Sequence, residues 1–184
     1  IGLTGGQGSG KSTISNILKI ILKEGFQLNT AIFSIDDFYK TLSDRKKMSK
    51  KISPLFLTRG VPGTHETDLL LNSIKQIKKI NFKKILIPKF DKSIDDRLPK
   101  KKWQIIDKKP HIVIFEGWCV GVTPQKNKDL IVPLNILEKE KDKKRIWRNY
   151  VNNELKTNYK KIFKLIDTTI FLKVPSFKHV LSWR

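Results

Sequence analysis

A single cysteine, Cys119, stands among 184 residues. No intrachain disulfide can form, and a reducing compartment such as the cytoplasm is the expected setting. Long hydrophobic runs are also missing: no stretch of eighteen apolar residues occurs, so no membrane-spanning helix is expected. The first residues, Ile1-Gly2-Leu3-Thr4, have neither the basic start nor the apolar centre of a secretory signal. Acidic residues are scarce, 17 against 38 Lys and Arg, leaving a formal charge of +21. A field of that sign attracts phosphate polymers. Arginine, however, is scarce too: Arg45, Arg59, Arg97, Arg145, Arg148 and Arg184 are all there is. Nucleic-acid surfaces concentrate arginine and interleave aromatics, whereas the densest lysine stretches here, Lys46 to Lys51 and Lys139 to Lys144, carry few aromatics. The charge reads as compositional drift toward Lys, Ile and Asn, and nucleic acid is not the expected partner. His65, His111 and His179 are scattered, and with one cysteine they make no zinc set.

The length and the 39% hydrophobic content suit one domain with a core. Ile1 already lies in an apolar stretch, so residues 1–184 are expected to be a single domain truncated at both ends. Beyond a glycine-rich turn, Ile14, Ile17, Leu18, Ile21 and Leu22 recur at helical spacing up to Glu24-Gly25. Thr30 to Ile35 reads as a buried strand ending at Asp36-Asp37. A long loop with Pro54, Gly60, Pro62 and Gly63 follows, then a helix from about Thr67 carrying Leu70, Ile74 and Ile77 on one face. Ile85-Leu86-Ile87 reads as a third strand, and His111 to Phe115 as a fourth, closed by Glu116-Gly117. Residues 136–166 are charged and helix-prone, and Thr168 to Val174 reads as the last strand. Strands that are continuously apolar and alternate with helices predict an α/β fold, a mostly parallel sheet with helices on both faces.

Gly5-Gly6-Gln7-Gly8-Ser9-Gly10-Lys11-Ser12 fits G-x-x-x-x-G-K-[ST], with a strand before it and a helix after it. Glycines let backbone N–H groups curl toward phosphate oxygens, and the helix adds its positive end. Lys11 is expected at the β- and γ-phosphates, Ser12 at Mg²⁺, and Thr13 beside them. Such a loop specifies ATP-like phosphates but leaves the attacking group open. Asp36 sits just past the second strand, where a carboxylate can take a proton from a substrate hydroxyl; the pair Asp36-Asp37 can equally cap a turn. Glu116, at the end of its strand, can hold Mg²⁺ or be a solvated strand-end acid.

The segments Gly5 to Thr13, Ser34-Ile35-Asp36-Asp37-Phe38-Tyr39, Arg59-Gly60-Val61-Pro62-Gly63-Thr64-His65-Glu66, Pro88-Lys89-Phe90-Asp91-Lys92-Ser93, Asp96-Arg97 and Phe115 to Gly121 resemble, in order, the D-glycerate 3-kinases of plants and cyanobacteria and their fungal relatives. More distantly, Asp36-x-Phe-Tyr and Pro88-x-Phe-Asp followed by Arg97 are similar to the uridine kinase, phosphoribulokinase and pantothenate kinase group. The resemblance implies a P-loop NTPase fold, ATP and Mg²⁺ as cofactors, Asp36 as catalytic base, and transfer to a small alcohol, with D-glycerate expected and a nucleoside or pantothenate as alternatives. A nucleotide-sensing or nucleic-acid-binding ATPase is the alternative of a different class. The resemblance also implies a helical, lid-like region after Val174 to Arg184, which is expected to be missing from residues 1–184.

A glycerate site needs a cation for the carboxylate, and arginine suits it. Arg59 and Arg97 are the nominees by resemblance and by chemistry, with Lys89, Asp91 and His65 in the same two loops. Arg97 could instead pair with Asp95 or Asp96, and Lys89 could be solvated. Trp103, Trp118, Trp147 and Trp183 read as packing.

Overall fold

Residues 1–182 are described by the computed structural model; Trp183 and Arg184 lie outside the described residues. Strand β1, Gly2–Gly5, is buried along its length and leads through the glycine turn into helix α1, Lys11–Phe26. The helix runs through Gly25, where the sequence suggests a stop, and ends because Gln27 takes a left-handed conformation with φ 55°. Strand β2, Thr30–Ser34, passes into one turn of 3₁₀ helix over Ile35–Phe38.

The expected long loop contains a helix, α2, Leu42–Lys51, whose N-cap Thr41 accepts a hydrogen bond from the Asp44 N–H. Apolar periodicity could not reveal it, since its one buried residue is Arg45. Helix α3, Thr67–Lys78, buries Leu70, Ile74 and Ile77 as the spacing predicts. Four short strands follow: β3, Ile85–Ile87; β4, Phe90–Asp91; β5, Asp96–Arg97; and β6, Gln104–Ile106. Strand β7, Ile112–Gly117, precedes the helical region, which comprises α4, Ile136–Lys141, α5, Ile146–Glu154, a π-helical turn over Leu155–Tyr159, and α6, Lys160–Phe163. Strand β8, Thr169–Leu172, and helix α7, Phe177–Ser182, end the described chain.

One parallel sheet carries the architecture, in the order β2-β7-β1-β8. The third expected strand departs from it. β3 pairs antiparallel with β6, and β4 with β5, outside the main sheet. Helix α1 lies against β1, β2 and β7. Toward α3 and the π-helical turn, Phe33 and Phe115 pack with Leu70, Ile74, Leu155, Tyr159 and Ile162. Each such side chain contributes roughly 1.5–3 kcal/mol by leaving water. Cys119 is fully buried there, and burial pushes its thiol up to about 12, so it packs and does not react. Among the described residues no helix is long and apolar enough to cross a membrane.

The register positions the chemistry. Leu3 and Ser34 both pair with Glu116, so β1, β2 and β7 finish level and their following loops leave the sheet at one edge. That carboxyl edge is where open parallel sheets bind ligands.

Candidate active site

The turn after β1 is built for close approach to an anion. Gly8 and Gly10 sit at φ 78° and 81°, in the left-handed region open to glycine. Gly10 caps α1 with no side-chain hydrogen bond, and the first turn of the helix carries no acid. Its leading N–H groups therefore face outward as donors. Lys11 folds over the loop, its Nζ donating to the carbonyls of Gly5 at 3.0 Å and Gly6 at 2.8 Å. Burial holds the Lys11 ammonium below its usual range, against the pull of Glu116 and Asp36, and the nearby Lys92 pushes it the same way as burial does.

Beside the loop lies a cavity of about 470 Å³ lined by Gln7, Gly8, Lys11 and Ser12, by Ser34, Asp36 and Asp37, by Phe90 and Lys92, and by Glu116, Gly117 and Trp118. A second cavity, of about 370 Å³, is lined by Ile74, Ile77, Val113 and Ile166 together with Lys78, Lys109 and Asp167, and by no residue of the phosphate loop or the Asp36 turn. One acid of the polar cavity, Glu116, is half satisfied. The Ser12 hydroxyl donates to Glu116 Oε1 at 2.9 Å, while Glu116 Oε2 is buried with no partner. A buried carboxylate oxygen is costly unless it is satisfied, and a hydroxyl beside it completes a donor set suited to Mg²⁺. No group of three or more His, Cys, Asp or Glu able to hold a metal occurs among the described residues, so a metal here would take its remaining ligands from phosphate and water.

Of the pair Asp36-Asp37, the capping role falls to Asp37. Asp37 is the buried member. It completes a capping box, its Oδ2 accepting from the Ser34 N–H at 3.5 Å while the Ser34 side chain caps the turn, and it pairs with Lys89 at 2.8 Å. Asp36 faces the cavity, where Lys92 Nζ lies 2.8 Å from its Oδ2. Burial, with the Asp36 charge second, pushes the Tyr39 phenol well above its usual range.

Close packing at Gly117 sets the position of Asp36. A Cβ at Gly117 would fall 2.4 Å from Ile35 Cγ2, so the glycine lets the turn bearing Asp36 sit against the end of β7.

None of Arg59, His65, Lys89, Asp91 and Arg97 lines the cavity. Arg59 and Lys89 reach the lining residues Phe90 and Asp37 from outside it. Arg59 pairs with Asp95 and lies 5.4 Å from the Phe90 ring centroid. Arg97 donates from Nε and Nη2 to the Tyr39 carbonyl at 3.2 and 2.6 Å. Burial holds its guanidinium below the usual range. Asp91 accepts from the Ser93 hydroxyl and N–H at 2.6 and 2.8 Å, bonds that hold its carboxyl below the ordinary value. His65 is 1% exposed. It stacks on Tyr39 at 4.3 Å, and its Nδ1 lies 2.5 Å from the Tyr159 hydroxyl. That phenol oxygen also accepts from the Gly63 N–H at 2.9 Å, and the other ring nitrogen, Nε2, is buried with no partner. Burial pushes the imidazole down to about 3.

Sequence reasoning missed Lys92, Phe90 and Trp118 as lining residues, and Arg45 as the keystone. Arg45 is 0% exposed. It donates to the carbonyls of Lys40, Leu57 and Asp95 and pairs with the Asp95 carboxylate at 3.1 Å, tying α2, the loop before α3 and the β4–β5 hairpin together. Trp118 could have been noticed beside Glu116-Gly117; its indole donates to the Gly60 carbonyl at 3.2 Å. No pattern in the sequence marks Arg45.

The chain resembles known proteins along its full length. It is 32% identical to an uncharacterized kinase of Schizosaccharomyces pombe, covering 100% of this chain and 68% of that protein. It is 26% identical to the chloroplastic D-glycerate 3-kinase of Arabidopsis thaliana, covering 100% of this chain and 40% of the relative. Among solved structures, a D-glycerate 3-kinase from Cryptococcus neoformans superposes with a TM-score of 0.82 at 29% identity, over 100% of this chain and 66% of that one. The chain thus spans between two fifths and about two thirds of these proteins. The family model for phosphoribulokinase and uridine kinase matches residues 1–153. This chain is a P-loop kinase and belongs to the phosphoribulokinase / uridine kinase family.

Proposed function

We propose that the protein transfers the γ-phosphate of ATP to the 3-hydroxyl of D-glycerate, giving 3-phosphoglycerate and ADP. One observation carries this reading: the Asp36 carboxylate opens into the same cavity as Lys11, Ser12 and the unpartnered oxygen of Glu116. A proton acceptor, a phosphate cradle and a metal-type donor set then share one volume, as in-line transfer requires. The D-glycerate 3-kinases among the relatives support the choice of acceptor.

In this reading the N–H groups at the start of α1 and the Lys11 ammonium hold the β- and γ-phosphates. Ser12 and Glu116 would hold Mg²⁺, which supplies neutralisation of phosphate charge. Asp36 orients the acceptor hydroxyl and takes its proton as the hydroxyl oxygen bonds to the γ-phosphorus. The bond to the β–γ bridging oxygen breaks, and its electron pair leaves with ADP. Catalysis of this kind is positioning and electrostatics.

The test is ATP consumption by the full-length protein with Mg²⁺ and D-glycerate, L-glycerate, uridine, pantothenate or no acceptor. Stimulation by D-glycerate alone, with 3-phosphoglycerate as product, is the expected result. Stimulation by uridine or pantothenate instead would reassign the acceptor. No stimulation by any of them would favour a nucleotide-sensing protein.

A further inference from the structure

We propose that Lys92 is the residue that selects an anionic acceptor, by exchanging its ion pair with Asp36 for one with the acceptor's carboxylate. The inference rests on the glycerate reading above and names the group that recognises the acid. Five charged side chains line the polar cavity among the described residues: Lys11, Lys92, Asp36, Asp37 and Glu116. Lys11 lies over the phosphate loop, bonded to its carbonyls. Lys92 is therefore the remaining cation there. The other basic residues nearby are committed elsewhere: Lys89 to Asp37, Arg59 to Asp95, and Arg97 to the Tyr39 carbonyl.

The hairpin makes Lys92 movable at its tip and fixed at its base. Asp91 and Ser93, on either side, are locked by two hydrogen bonds to Asp91 Oδ1. The Lys92 side chain itself is 62% exposed, so little packing resists its rotation. Its Nζ sits 2.8 Å from the Asp36 oxygen that the acceptor hydroxyl needs. In a three-carbon hydroxy acid the carboxyl carbon lies only roughly 3–4 Å from the 3-hydroxyl oxygen, three bonds away. An acceptor whose hydroxyl docks on Asp36 thus brings its carboxylate within reach of the same ammonium. The exchange frees Asp36 Oδ2 to accept the hydroxyl proton. A neutral polyol, or water, offers no charge to draw Lys92 away and meets an occupied base. Lys11 feels the Lys92 charge as well, so an anion between the two ammonium groups relieves their repulsion.

The experiment compares kcat/KM of the full-length wild-type protein, Lys92→Gln and Lys92→Arg for D-glycerate and for glycerol, which keeps the hydroxyls and loses the carboxylate. Wild type is expected to prefer the acid. Lys92→Gln should lose about 10- to 100-fold on D-glycerate, chiefly through KM, the scale of one charge-assisted hydrogen bond. On glycerol the same variant should gain, because glutamine leaves Asp36 Oδ2 unoccupied, so its acid-over-glycerol ratio should fall, and Lys92→Arg should keep most of the preference. Retention of the wild-type acid-over-glycerol ratio in Lys92→Gln overturns the inference and leaves the glycerate reading standing. An equal loss on both acceptors also overturns it, because Lys92 would then serve the phosphoryl group. A wild-type protein that turns over neither glycerate enantiomer overturns the reading and the inference together.

Discussion

Replacing Glu116 by glutamine should move stability and metal dependence in opposite directions. Glu116 is 8% exposed; one oxygen accepts from Ser12 and the other has no partner. Glutamine keeps the shape and the Ser12 bond and removes the charge. An unsatisfied buried polar group costs about 1–3 kcal/mol, more if charged, and the neutral amide recovers part of that, roughly 1 kcal/mol. For a domain of this size the nucleotide-free Tm should rise by about 2–4 °C. With Mg²⁺ and ATP the sign reverses. Ligand present at 100 times its Kd stabilises by about 2.7 kcal/mol, and a 30-fold weaker Kd lowers that to about 0.9 kcal/mol. At about 3 °C per kcal/mol the Mg·ATP-induced shift should shrink from about 8 °C to about 3 °C. Thermal melts of both proteins, with ATP in Mg²⁺ and with ATP in EDTA, read all of these quantities. A variant that melts lower without nucleotide and keeps the full Mg²⁺-dependent shift would refute the assignment of Glu116 to the metal.

Asp36→Asn should lower kcat by roughly two to four orders of magnitude while ATP affinity stays within about threefold; near wild-type turnover would place the base elsewhere. Gly117→Ala should cost about 1–3 kcal/mol by overpacking against Ile35, and kcat should fall with it because Ile35 precedes Asp36; an unperturbed variant would show that the turn has room to move. Arg45→Met should destabilise by about 3–5 kcal/mol in urea unfolding, since it strands buried carbonyls and half-releases Asp95; a loss below about 1 kcal/mol would deny it the keystone role. His65 stays neutral in the fold down to about 3, against an ordinary value of 6.5. The unfolded chain therefore binds the extra proton as pH falls below 6.5, and stability drops with it, by about 1.5 kcal/mol between pH 6.5 and pH 5. His65→Asn should flatten that part of the stability profile, and an unchanged slope would assign the proton to another group.

Local chemistry was legible wherever one short segment carries it. The phosphate loop needs glycines at left-handed positions and a lysine at a fixed offset, so Gly8, Gly10 and Lys11 declare themselves in any order of reading. The faces of α3 and the buried strands β2 and β7 follow from apolar spacing, because each contributes a row of side chains to one core. The same rule finds β3 but not its partner. Ile85 and Ile87 are buried and Leu86 is exposed, so the segment has an ordinary strand pattern, yet nothing in three residues says whether the partner is the main sheet or β6.

What stayed illegible depends on pairs far apart in the chain. Arg45 is separated by 50 residues from Asp95, whose carbonyl it bonds, and Lys92 by 56 from Asp36. A charged residue's fate is decided by its partner, and in a chain with 38 basic side chains composition cannot distinguish a solvated lysine from one poised over a base. Arginine was expected at the carboxylate on grounds of geometry. The structure instead spends the arginines near the site on rigid tasks, bonding backbone carbonyls and Asp95. A planar guanidinium with five fixed donors suits a permanent brace. A flexible, exposed ammonium suits a contact that must be broken and remade within each turnover, which is the task that falls to Lys92.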